Sequence, residues 1–211
     1  MMLSEELYPQ RVFYYFEQIA AIPHGSRNTK AISDYLVDFA KEHNLVWYQD
    51  ENNNVVIVKE ASAGYEAAEP IIIQGHMDMV CEKEKGVDID FEKDGLKLYI
   101  DGDFLKAEGT TLGGDDGIAV AYALALLDSQ EIAHPKLEVV ITVDEEIGML
   151  GAEAIDLSML TGHTMLNIDS DVEGSFLTGC AGGMAVNVTL PIKRVMQSGE
   201  KVALTITGLE G

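Results

Sequence analysis

Four separated stretches of the chain carry side chains suited to holding a cation: His76 with Asp78, Asp115 with Asp116, Glu145 with Glu146, and Asp169 with Asp171. The adjacent aspartates are the most telling. They stand at the head of TTLGGDDGIAVAYALALL (110–127), flanked by Gly113, Gly114 and Gly117, with no positive charge nearby. A helix start readily takes one acidic or capping residue. Two carboxylates side by side in a dry, backbone-rich setting repel each other unless a cation sits between them. One imidazole with several carboxylates and no thiolate suits zinc, or cobalt or manganese in its place.

The chemistry such a set performs is hydrolysis. Two divalent ions about 3.5–4 Å apart can share a carboxylate and a bridging water, whose pKa they lower. Asp115 is the natural bridge. Glu145 and Glu146 need not do the same job: one can bind metal while the other takes a proton from the water and passes it to the leaving amine. Asp78 lies two residues beyond His76, on the same strand face, and can orient the ring. Each stretch alone has a plainer explanation. His76 can be satisfied by its neighbour, Glu145–Glu146 can be a solvated turn, Asp169-Ser170-Asp171 a loop start, and Asp115–Asp116 a helix cap.

The elements that must position these residues favour the joint reading. Pro70–Ile73, Leu137–Val143 and Met165–Ile168 are short apolar runs of the kind buried in a parallel sheet. Each runs into one of the candidate groups, and ligands bind outside the carboxyl ends of such strands. The 110–127 segment is apolar almost all round, which predicts a buried helix whose start opens on the same edge. Upstream, Val12, Phe13, Phe16, Ile19 and Ala20 form one helical stripe. Ile32, Leu36, Phe39 and Ala40 form a second, with Asn28 or Thr29 as cap and Asn44 as stop. Two strands, over 45–48 and 55–58, flank the turn-rich DENNN, and a short hairpin is expected about Asp101-Gly102-Asp103. The fold class is α/β, a mostly parallel sheet flanked by helices. Beyond Gly182 the pattern alternates over 185–190 and 202–206, so residues 1–183 are expected to form the catalytic domain and 184–211 the opening of an α+β lid domain.

Composition limits the partners. The 211 residues carry 36 acids against 14 bases, a formal charge of −22, which argues against nucleic acid or an anionic membrane surface. The N-terminus lacks the basic-then-apolar pattern of a secretory signal, and the longest apolar run is too short to span a bilayer. Cys81 and Cys180 match no paired spacing and read as thiols in a reducing compartment, so a cytoplasmic protein is expected.

GHMD (75–78), GTTLGGDDG (109–117), DEEIGMLGA (144–152) and NIDSD (167–171) together resemble the dinuclear-zinc exopeptidases that include carboxypeptidase G, aminoacylase and the dipeptidases. QGHMDMVCEK (74–83) and TGCAGG (178–183) bring the resemblance closer to the aminoacyl-histidine (Xaa-His) dipeptidase branch. The resemblance runs along essentially the whole chain. It implies that His76 and Asp169 hold one metal and Glu146 the other, with Asp115 bridging, Glu145 as general base and Asp78 setting the His76 ring. Gly114 stands where members often carry alanine. His24, His43, His134 and His163 match no ligand position.

Members of the family are about twice this length or more, and their second half supplies a further histidine ligand, the rest of the sheet and the completed lid, through which a homodimer can form. The chain is therefore expected to be an N-terminal fragment, weak or inactive alone. The activity implied is hydrolysis of small dipeptides of the Xaa-His type with two zinc ions. Two alternatives stay open: hydrolysis of an N-acyl amino acid or tripeptide, and a metal-binding fragment without turnover.

Overall fold

The computed structural model describes residues 3–170, 172, 174–179, 188–193, 198, 199, 202 and 205. The two N-terminal stripes form helices α1 (Gln10–Ala20) and α2 (Lys30–Glu42). Their apolar faces, including Val12, Phe16 and Ile19 on α1 and Ile32, Leu36 and Phe39 on α2, are buried. Thr29 is the N-cap residue of α2 but makes no side-chain capping bond. Asn44, at φ 54°, follows the helix as the expected stop.

Among the described residues, a short 3-10 helix (Leu3–Glu6) precedes α1, and the other elements are β1 (Val46–Gln49), β2 (Val55–Lys59), β3 (Ile71–His76), β4 (Leu98–Asp101), β5 (Phe104–Ala107), α3 (Gly114–Asp128), β6 (Leu137–Thr142), α4 (Leu150–Ala154) and β7 (Thr164–Asn167). Strands β4 and β5 form a separate hairpin. The other five make one sheet in the order β1-β2-β6-β3-β7. Strand β6 is parallel to β3, and β3 to β7, while β2 is antiparallel to both β1 and β6. The α/β architecture stands, with a sheet that is parallel on the side bearing the candidate residues and antiparallel on the other.

The sheet is packed on both faces. Helices α1, α2 and α3 cover one face, where Ile57, Ile73, Val139 and Ile141 meet Phe16, Leu36, Val120 and Leu124. On the other, Val56, Val58 and Val140 pack under Ile72, Ile155, Met159 and Leu160. Every residue of β6, the middle strand, is buried. Strand β7 departs from expectation: all four of its residues are exposed. Among the described residues it sits at the sheet edge with β3 as its one neighbour, so its apolar run does not find the double cover that β6 has.

Helix α3 is nearly uniformly apolar, as a buried helix must be, and Gly117 lets it close on α1. A Cβ at Gly117 would lie 3.3 Å from the Phe16 ring. Residues Met1–Glu173 form one compact unit and Gly174–Gly211 a second. The expected boundary at Gly183 and most of the alternating segments beyond it lie outside the described residues. Among the described residues from 174 onward there is no helix or strand.

Candidate metal centre

The parallel strands bring the candidate residues to one edge. His76 closes β3, and its ring is buried at 1 % exposure. Its Nδ1 lies 2.9 Å from the Asp78 carbonyl oxygen and 3.4 Å from Asp78 Oδ1. A proton on Nδ1, donated to that carbonyl, leaves the Nε2 lone pair available to a cation. Nε2 lies 3.0 Å from Asp115 Oδ1 and 3.9 Å from both Glu145 Oε2 and Asp169 Oδ2. Two overlapping groups result, His76 with Asp115 and Glu146, and His76 with Glu145 and Asp169; within each, donor atoms lie within 4.8 Å of one another. His76, Asp78, Asp115, Glu145, Glu146 and Asp169 therefore converge, while Asp171 lies outside the described residues, and the imidazole-plus-carboxylate donor set fits a zinc-class divalent ion.

The electrostatics agree with a cation at this place. Burial alone would lower the His76 pKa, but the carboxylates of Asp78, Asp116 and Asp115 outweigh it and lift the imidazole to about 9. Burial raises the carboxyls of Glu145 and Glu146, and the neighbouring acids add to the rise. So much negative charge around one buried ring is stabilised when a divalent ion takes the centre.

The two adjacent aspartates divide their roles. Asp115 turns its side chain outward, 61 % exposed, beside the His76 ring. Asp116 is buried, and its Oδ2 accepts the backbone N–H of His76 at 3.1 Å. Burial pushes its carboxyl up to about 7. Asp116 thus ties the head of α3 to the end of β3. Gly75 makes room for it, since a Cβ there would fall 2.6 Å from that oxygen. The peptide bond between the two aspartates is cis.

Two residues that the sequence reading did not single out, Ser26 and Asn54, hold the site's loops, the first through the expected Asp78. Asp78 is fully buried and accepts three donors besides His76: Ser26 Oγ at 2.8 Å, Glu145 N–H at 3.0 Å and Glu146 N–H at 3.4 Å. Burial opposes ionisation of Asp78, yet these donors keep its carboxyl below the usual range. Asn54 is wholly buried. Its Oδ1 accepts the Val143 N–H at 3.0 Å, and its Nδ2 donates to the Gly151 carbonyl at 3.1 Å, closing the loop that carries Glu145 and Glu146 at both ends. Its one sequence signal was the Asn52-Asn53-Asn54 run, which reads simply as a turn. Of the other histidines, His24 is buried with Nδ1 against the Ile22 carbonyl, and His43 meets Asp128. None of His24, His43, His134 and His163 enters the cluster.

Residues 72–188, more than half of the chain, match the model of peptidase family M20/M25/M40. The chain belongs to that family. The M20/M25/M40 peptidases are metal-dependent, in keeping with the donor set just described. The chain is 40 % identical over 208 residues to the cytosol non-specific dipeptidase of Escherichia coli, covering 98 % of this chain and 43 % of that protein. Among solved structures it is similar to the aminoacylhistidine dipeptidase of Vibrio alginolyticus, with 41 % identity and a TM-score of 0.79 over 81 % of this chain and 35 % of that one. A Staphylococcus aureus tripeptidase shares the fold, with a TM-score of 0.64 and 24 % identity over 77 % of this chain and 44 % of that one. The chain spans less than half the length of each of these relatives. No helix among the described residues is long and apolar enough to cross a membrane.

Proposed function

We propose that the protein carrying this chain is a dinuclear metallo-dipeptidase that hydrolyses small dipeptides, aminoacyl-histidine dipeptides among them. The observation that carries this reading is the convergence of His76, Asp115, Glu145, Glu146 and Asp169 at the end of the parallel strands, in a chain similar over nearly its full length to a dipeptidase. His76 and Asp169 would hold one zinc ion, Glu146 the other, and Asp115 both. When bound, the ions supply Lewis acidity for the peptide carbonyl and lower the pKa of the attacking water.

The chain's own residues do the rest. Glu145 takes the proton from the water and delivers it to the leaving amine. Its carboxyl is raised by burial and by the acids around it, a direction that strengthens a general base. The Asp78 backbone carbonyl and carboxylate fix the tautomer and angle of the His76 ring. Asp116 keeps Asp115 registered against β3. On this reading residues 1–183 belong to the catalytic domain, 184–211 open a lid domain through which two copies associate, and the protein works in the cytoplasm.

The deciding experiment is Glu145→Gln in a polypeptide of the relatives' full length. Glutamine keeps the size of the side chain but cannot accept the proton. Dipeptide hydrolysis should fall by at least 100-fold with bound zinc unchanged. Equal turnover in parent and variant would remove Glu145 from the mechanism. No turnover in the parent, with zinc firmly bound, would favour a binding role without catalysis.

A further inference from the structure

Between α1 and α2 the chain makes a turn, Pro23-His24-Gly25-Ser26-Arg27, that contributes no ligand to the cluster described above. It is nevertheless attached to the metal centre at three points. The Met79 N–H donates to the His24 carbonyl at 3.2 Å, and Gly25 forms an isolated parallel bridge with Met79. Ser26 Oγ donates to Asp78 Oδ2 at 2.8 Å. The Arg27 N–H donates to Asp144 Oδ1 at 2.6 Å, one residue before Glu145. The turn is closed on itself by the Asn28 N–H to the Gly25 carbonyl at 2.8 Å. Arg27 and Asp144, the two residues joined at its far end, both have positive φ, 67° and 54°, so neither backbone is in its most comfortable region.

We propose that this turn is a positioning device for the catalytic glutamate, with Ser26 acting through Asp78 and Arg27 through Asp144. The Asp78 carboxylate is the common point. It faces the His76 ring on one side and accepts the backbone N–H groups of Glu145 and Glu146 on the other. A buried carboxylate must fill its acceptor positions, and among the described residues Ser26 supplies the one donor that comes from neither His76 nor the glutamate loop. Without that hydroxyl, the carboxylate is free to rotate toward its remaining donors. Glu145 and the His76 ring then lose their common reference. Asn54 fixes the ends of the loop at Val143 and Gly151, whereas the Ser26–Arg27 pair fixes its catalytic tip.

The inference rests on the metal-centre reading given under Proposed function, and the test separates the two. Amide hydrogen exchange is measured by NMR on the metal-free chain, and zinc affinity by competition with a chromophoric chelator. Ser26→Ala should speed exchange at the Glu145 and Glu146 amides by at least about 10-fold, with Val139 and Ile141 in β6 unchanged. It should weaken zinc binding by about 10-fold, the lower end of the range for loss of an outer partner of a ligand, because Ser26 acts one step further out, through Asp78. Ser26→Thr, which keeps the hydroxyl, should restore both. Asp144→Ala, which releases the Arg27 amide from the other side, should speed exchange at the same two amides.

Parent-like exchange at Glu145 and Glu146 in both Ser26→Ala and Asp144→Ala overturns the proposal. So does parent-like zinc affinity in Ser26→Ala, or failure of Ser26→Thr to rescue. Asp115→Ala serves as the separate control. If it holds zinc as tightly as the parent, the metal-centre reading itself fails. If it loses zinc while Ser26→Ala stays parent-like in both measurements, the positioning role alone fails.

Discussion

Replacing Glu138 by glutamine tests how the sheet holds the strand that delivers Asp169. Glu138 lies on β6 at 0 % exposure. Its carboxylate accepts Lys136 Nζ at 2.8 Å, Thr161 Oγ at 2.6 Å, and the backbone N–H groups of Thr161 and Gly162 at 2.9 Å each. Residues 161 and 162 immediately precede β7, so this clamp sets where β7 enters the sheet. Burial would raise the Glu138 pKa, but Lys136, Thr161 and Gly162 outweigh it and bring the carboxyl from an ordinary 4.5 down to about 2. At about 1.4 kcal/mol for each tenfold change in proton affinity, that corresponds to about 3 kcal/mol. The Lys136 side chain is 23 % exposed, and solvent screening there reduces the figure to about 2 kcal/mol.

The sign follows from the direction of the shift. A carboxyl whose folded pKa is depressed stabilises the fold fully above its unfolded pKa, near 4.5, and loses that contribution as pH falls through about 2. Glutamine keeps the shape but has no charge to titrate. Urea unfolding of parent and Glu138→Gln should therefore differ by about 2 kcal/mol from pH 7 to pH 5 and by less than half of that at pH 3. A difference that stays constant from pH 7 to pH 3 would show that the carboxylate is not held ionised by these donors.

Two further outcomes are expected. After zinc loading and dialysis, the parent chain should retain about one to two equivalents of metal and Asp115→Ala should retain none; equal retention by the two would remove Asp115 from the centre. Asn54→Ala leaves the Val143 N–H without its partner and takes one of two donors from the Gly151 carbonyl, which keeps the Ile155 N–H, so it should lower stability in urea by about 1–3 kcal/mol. An unchanged unfolding midpoint would mean that the loop bearing Glu145 is closed by other forces.

Much of the site was legible because it depends on residue type and on position at an element's end. A histidine closing an apolar run, acids following two others and a paired aspartate at a helix start all mark one sheet edge, provided the runs are parallel strands. Local periodicity marked them as strands and helices, since the pattern of apolar residues records which face is covered. The separate jobs of Asp115 and Asp116 were not legible. The two neighbours have the same chemistry, and the approach of β3 alone buries one while leaving the other outward. The exposure of β7 was equally hidden, because its run resembles that of β6 and the order of strands decides which one is covered.

What the sequence by itself determined was the set of reactive groups and the elements that bear them, because periodicity and residue chemistry act over a few residues. What only the tertiary structure decided was how those groups are held. Ser26 reaches Asp78 across 52 positions, Asn54 reaches Gly151 across 97, and Arg27 reaches Asp144 across 117. Such hydrogen bonds have no period in the chain. They exist because the sheet order brings distant turns into contact, where a buried carboxylate or amide must find a partner.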